Sequence, residues 1–323
     1  MSCHWMRRAL LALASAAVLL VVACGSSTIE SQLQPTRIVA FGDGFSDLGQ
    51  TGRRYTVNDG TVNIWLHEFA SRFGLTLTAT AAGGTSFATG NARINTKPDA
   101  AGNSATPTVT EQVDQFLAAS QFPAGVGIGA NDLLVINGGI SDIVAEVAKL
   151  DAGAQTSDQM IANVKQAGRD LGAQVRRLVQ AGAAHVMVVG TYDLGKSPWA
   201  TTTGQVDLLS NASIQFNDQL LLAIVDLGAN VLYVDAALQF NLMVASPATY
   251  NMTDPNNLVC TSVDPGPGIG TGAGQVNSAL CNTSTVAAGA DYTHFLFADR
   301  VYPTPQGHRT FGDFAFDRIR ARF

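Results

Sequence analysis

The chain has 323 residues, 46% of them apolar and only 14% charged, with 32 glycines and a formal net charge of −6. Such a balance excludes a disordered chain and a charge-rich long helix, and the length suits one large domain or two small ones. No Lys/Arg run exceeds a pair, so the concentrated positive charge that nucleic acid requires is missing and no such partner is expected.

At the N-terminus, Arg7 and Arg8 precede an apolar run from Ala9 to Ala23. The run is short for a bilayer span and right for the core of an export signal. It ends in Val21-Val22-Ala23-Cys24-Gly25, which resembles a bacterial lipobox. That resemblance implies a lipoprotein signal peptide over 1–23, an acylated Cys24 and a polar tether over 24–35. The plainer alternative is a secretory signal with an incidental cysteine. No Asp follows Cys24, which in a Gram-negative envelope implies export to the outer membrane or its periplasmic face. Loss of the leader removes two arginines and no acids, making the mature chain more negative.

If Cys3 leaves with the signal and Cys24 carries lipid, Cys260 and Cys281 remain and are expected to pair. Between them runs TSVDPGPGIGTGAGQVNSAL, a Gly/Pro/Ser-rich stretch with little apolar period that needs a covalent staple to be ordered. A zinc site is excluded by the lack of a C-x-x-C or a neighbouring histidine pair.

In chain order, Arg37–Phe41 reads as a buried strand running into a glycine turn. Ile64, Trp65, His67, Phe69 and Phe73 have helical spacing, stopped by Gly74. A turn-rich segment leads to a helix with Val113, Phe116 and Leu117 on one face. Asp132 to Ile136 reads as a second strand, ending in Asn137-Gly138-Gly139. The next helix starts near Thr156 or Ser157 and places Ile161, Val164, Leu171, Val175, Leu178 and Val179 on one stripe. His185 to Val189 is a third strand, about Asp207 to Leu227 a helix stopped by Gly228, and Val231 to Val234 a fourth strand. Strands alternating with amphipathic helices predict a parallel sheet covered on both faces, a three-layer α/β/α sandwich over 36–323. Ligands in such sheets sit beyond the carboxyl ends of the strands.

Two segments at such ends are informative: Phe41-Gly42-Asp43-Gly44-Phe45-Ser46-Asp47 and Asp299-Arg300-Val301-Tyr302-Pro303-Thr304. With GGTSFATGNAR, VINGGISDI, GTYDLGKSPWA and NVLYVDA they resemble the SGNH, or GDSL, hydrolase family across the whole mature chain. The resemblance implies a flavodoxin-like sandwich, a serine nucleophile after the first strand, two further blocks of oxyanion donors, and a closing D-x-x-H-P pair. This sequence departs from that pattern. Gly44 stands at the nucleophile position, Asn91 at an oxyanion glycine, Ser141 at the oxyanion asparagine and Tyr302 at the general base. Only Asp299 is kept.

Substitutes are few. A phenol titrates near 10 and is a poor base at neutral pH. Ser46 and His308 match positions where the family has a helix-starting serine and a non-catalytic histidine. His67, His185 and His294 read as packing or surface residues, and neither a metal nor another cofactor is expected. Three readings follow: a monomeric lipoprotein that keeps an esterase fold without ester hydrolysis and takes a small ester or lipid-like ligand in its cleft; an esterase working through Ser46 or Ser141 with His308; and a structural envelope protein. Loss of both nucleophile and base favours the first.

Overall fold

A computed structural model describes residues 33–61, 64–118 and 127–323; Cys24 and the leader lie outside the described residues. Four strands, β1 (Arg37–Phe41), β2 (Asp132–Asn137), β3 (His185–Val189) and β4 (Val231–Val234), form one sheet in the order β1-β2-β3-β4, every pair parallel. Every residue of β2 is buried, and all but the first residue of β1 and of β3. This is the pattern of a parallel sheet with helices on both faces. Beside β1, Ser86 makes a single parallel bridge to Ala40, so a short extended segment occupies the outer edge.

The helices are α1 (Trp65–Ser71), α2 (Val109–Leu117), α3 (Ile140–Asp151), α4 (Ser157–Gln180), α5 (Pro198–Thr203), α6 (Val206–Ile224), α7 (Ala236–Ala245) and α8 (Pro305–Arg320). In one layer α4 packs against α2, α3 and α6, and α3 also touches α6, while α8 packs against α1 and α7 in another. Helix α4 begins at a reciprocal cap between Thr156 and Gln159. Glycines set its approach to α6: a Cβ at Gly168 would lie 2.4 Å from the Phe216 carbonyl oxygen, and one at Gly172 the same distance from the Ala223 Cβ. After β4 come β5 (Asp254–Leu258), β6 (Val263–Asp264), β7 (Gln275–Val276) and β8 (Phe295–Phe297). They form two small accessory sheets, β5 parallel to β8 and β6 antiparallel to β7.

Three helices depart from the sequence reading, which passes from the Gly138-Gly139 turn straight to α4, from β3 to α6 past the short α5, and from β4 to the loop beyond it. Helix α3 follows Gly139, which sits at a φ of 111° and has no side chain to cap it, and it buries Asp142 and Glu146, which break its apolar period. Helix α7 has a visible cap, Asp235 accepting from the Leu238 amide at 2.9 Å, but it is apolar around most of its circumference and shows little period. A disulfide joins Cys260 to Cys281, and its loop folds back against residues 54–58: the Asn58 amide and its side-chain nitrogen both donate to the Cys281 carbonyl, at 2.9 and 3.0 Å.

Candidate functional site

The loop after β1, the start of α3 after β2 and the loop before α8 converge at the carboxyl ends of the strands. The closest approach is between Gly44 and Tyr302. A Cβ built on Gly44 would lie 2.6 Å from the Tyr302 phenol oxygen and 2.8 Å from its Cζ. Any side chain at 44 therefore has to displace the ring. Tyr302 is only 2% exposed and stacks at a tilt on Tyr55, ring centroids 4.9 Å apart. Burial, with the nearby Asp43, Tyr55 and Asp299, pushes its phenol well above the ordinary value near 10. At neutral pH it is a neutral hydroxyl, able to donate a hydrogen bond but not to accept a proton from a substrate.

Asp299 is fully buried and engaged with backbone. One carboxylate oxygen accepts from the Val301 and Tyr302 amides at 2.8 and 2.7 Å, the other from the Ser278 amide at 2.9 Å. It thus splices the disulfide loop to the Tyr302 turn. Ser141, in the first turn of α3, is 1% exposed; its hydroxyl faces Tyr302 without a well-formed hydrogen bond. Asp43 accepts from the Phe45 amide at 3.1 Å and from the Asn137 side chain at 2.8 Å, while its second oxygen is buried and unpartnered. Burial raises the pKa values of both Asp43 and Asp299. Asn91, at a φ of 61°, turns its amide to the Gly268 carbonyl at 3.1 Å, so this position reaches the disulfide loop.

Ser46 and His308 meet on a different side chain. The Trp65 indole N–H donates to the Ser46 hydroxyl at 3.1 Å, and the Trp65 amide donates to His308 Nδ1 at 3.3 Å. That bond puts the imidazole proton on Nε2, which faces the Tyr55 carbonyl at 3.4 Å. Burial lowers the His308 pKa to about 3. Among the described residues no hydrogen bond joins Ser46 to His308, or either of them to Tyr302. Burial also lowers His67, to about 4, and His185; His294 pairs with Asp291 at 2.8 Å at the start of β8.

Sequence reasoning passed over a second polar cluster. Arg93 lies between Asp142 and Glu146, 3.5 Å from the first and 2.7 Å from the second, with all three side chains at most 5% exposed. Burial lifts Asp142 to about 6 against the pull of Arg93. Lys149, Gln155 and Asn163 complete the shell of Glu146 at 2.6, 3.0 and 2.8 Å, and the group floors a cleft of about 190 Å³. The available signal was the four-residue spacing of Asp142 and Glu146. Among the described residues, no group of three or more His, Cys, Asp or Glu side chains is placed to hold a metal ion.

A model of the GDSL-like lipase/acylhydrolase family matches residues 38–314. Among curated proteins, the chain is 27% identical over 197 residues to an uncharacterised protein encoded in the trpE-trpG intergenic region of Pseudomonas putida, covering 61% of this chain and 30% of that one. It is 27% identical over 198 residues to esterase EstA of Pseudomonas aeruginosa, covering 61% and 28%. It is 26% identical over 255 residues to a phosphatidylcholine-sterol acyltransferase of Aeromonas hydrophila, covering 73% and 69%. The aligned region thus spans less than a third of the first two relatives.

Proposed function

The chain belongs to the GDSL-like lipase/acylhydrolase family, and from that premise we propose that it is an exported lipoprotein in which the fold persists and serine-dependent ester hydrolysis has been lost. One observation carries the reading: the phenol of Tyr302 lies 2.6 Å from where a side chain on Gly44 would begin. The site lacks a nucleophile, and the group in the base position fills the space that a nucleophile needs. Asp299, which would orient a histidine, spends its oxygens on three backbone amides. Its remaining role is to bind a small ester or lipid-like ligand, or a partner, at the carboxyl edge of the sheet. The residues at Gly44, Ser141, Asp299 and Tyr302 are themselves buried, so such a ligand sits above them rather than among them.

The competing reading, an esterase built from Ser46 or Ser141 with His308, has less support. His308, lowered to about 3, is a weak base, and Ser46 is occupied by the Trp65 indole. The deciding measurement is p-nitrophenyl ester turnover by the natural protein, Ser46→Ala and Ser141→Ala. The expected result is a rate near background for all three. Rapid turnover abolished by either alanine replaces the inactive reading with the esterase.

Acylation of Cys24 and an outer-membrane or periplasmic location belong to the same proposal, supported by the run from Arg7 to Cys24. The mature protein is expected to carry a lipid-bearing N-terminal cysteine by mass measurement, and Cys24→Ser to leave the membrane fraction. A natural protein without that added mass refutes the anchor.

A further inference from the structure

The amino ends of the strands form the face opposite the site. The described chain enters there: Leu33 is buried against the core, and the Thr36 amide donates to the Asn131 carbonyl at 3.0 Å. The same end gathers the turn after α6 and the tail of α8. Asn230 accepts from the Val186 amide at 2.8 Å, Arg322 donates to the Gly228 carbonyl, and the ring of Phe323 meets His185 at 4.9 Å.

The two most exposed large apolar side chains among the described residues are at this end, Val225 at 76% and Leu222 at 67%. At the same end, on the other layer, the last turn of α8 contributes Arg318 and Arg320, followed by Arg322, which outnumber the one acid among them, Asp317, on a chain that is acidic overall. The nearest acid of the α6 turn, Asp226, is paired with Arg176 at 2.7 Å. Exposed aliphatic groups and arginines gathered at one end of the domain match a bilayer interface, where apolar tips enter the headgroup boundary and cations meet anionic phospholipid.

We propose that this face, presented by Leu222, Val225, Arg318 and Arg322, lies against an anionic phospholipid surface and turns the site edge away from it. The proposal rests on the reading of Cys24 as the anchor and adds an orientation to it. Leu33 is nine positions after Cys24, so even a fully extended tether reaches only about 30 Å. An anchor that short holds the strands' amino ends near the bilayer, and the apolar and basic side chains then decide which way the domain faces. Whatever binds at the site edge comes from the aqueous side, not from the bilayer carrying the anchor.

The test places a fluorophore on the full, anchored protein at Val225→Cys or at Ala154→Cys, which lies on the turn between α3 and α4. Both are reconstituted in phosphatidylglycerol vesicles containing brominated lipid. Quenching is expected at 225 and not at 154, and Arg318→Gln/Arg322→Gln is expected to weaken it while Arg318→Lys/Arg322→Lys retains it. Equal quenching at the two positions, or quenching indifferent to these charges, overturns the orientation. Mass measurement of the N-terminus reports the anchor separately. If no acyl chain is present, the same face is read by sedimentation with phosphatidylglycerol vesicles. Binding that falls roughly tenfold to thirtyfold in the glutamine pair supports the face. No sedimentation, or self-association of the protein without lipid through Leu222 and Val225, refutes it.

Discussion

Tyr302 and Gly44 are complementary: the phenol sits where the first carbon of any side chain at 44 would go, 2.6 Å away. The two positions are therefore energetically coupled. Gly44→Ser alone is expected to lower stability by about 1–3 kcal/mol through overpacking, with no gain in ester hydrolysis. The pair Gly44→Ser/Tyr302→His is expected to recover stability relative to the single variant and to be the first to show turnover. Urea denaturation and p-nitrophenyl ester assays on the single and double variants check both halves. A Gly44→Ser protein as stable as the natural one removes the steric coupling.

Ser46 is predicted to matter for folding rather than rate. Ser46→Ala leaves the Trp65 indole N–H, buried in the core, without its 3.1 Å acceptor. The expected loss is about 1–3 kcal/mol, read as a lower urea midpoint at unchanged slope.

His308 gives stability a pH dependence of known sign. Its folded pKa is lowered to about 3, so between pH 6.5 and 3 the unfolded chain takes up a proton that the folded chain refuses. The contribution is complete above pH 6.5 and declines as pH falls toward 3. His67, lowered to about 4, acts in the same direction, whereas Asp142, raised to about 6, favours the folded state at the lower end of pH 4–6. His308→Gln is therefore expected to be less stable at pH 7 but to lose less on acidification. Thermal midpoints of both proteins from pH 7 to 4 should converge; parallel curves refute the assignment.

Arg93 neutralises two buried acids, and Arg93→Ala is expected to cost about 3–5 kcal/mol at pH 7.5. The penalty should shrink at pH 5, where Asp142 can hold a proton. Comparing denaturation midpoints at the two pH values tests it, and an equal loss at both would show that Asp142 is not the group left uncompensated.

Reduction of Cys260–Cys281 releases a loop spanning 21 residues in sequence, and the expected loss is about 3 kcal/mol. Because Ser278 in that loop donates to Asp299, reduction should also loosen the turn before α8. Amide exchange at Val301 and Tyr302, compared with and without reductant, reports this.

Much of the frame was legible. The β-branched apolar runs at 37–41, 132–136, 185–189 and 231–234 marked all four strands of the main sheet, because strands buried on both faces need continuous apolar sequence. Reading Cys3 into a leader and Cys24 as an anchor left Cys260 and Cys281, and these two are joined. Helix α3 was missed because Asp142 and Glu146 look like surface residues until Arg93, some fifty positions earlier, is folded against them. The site was legible as departures from a pattern, but not as an occupied space. Nothing in the letters Gly44 and Tyr302 says that one ring fills the other's vacancy, since that depends on a rotamer fixed by Tyr55. Nor could the sequence show that Ser46 and His308 both serve Trp65.

The bond from the Trp65 amide to His308 crosses 243 positions. The sheet grows in chain order, each strand beside its predecessor, so its framework can assemble as the chain emerges N-terminus first. The α1 side of that framework stays open until α8 docks on it. A chain emerging N-terminus first would then expose Trp65, Phe69 and Phe45 until α8 follows. Helix α8 is thus the stopper of this fold, and the period before it docks is when the nascent protein is most exposed to aggregation and proteolysis.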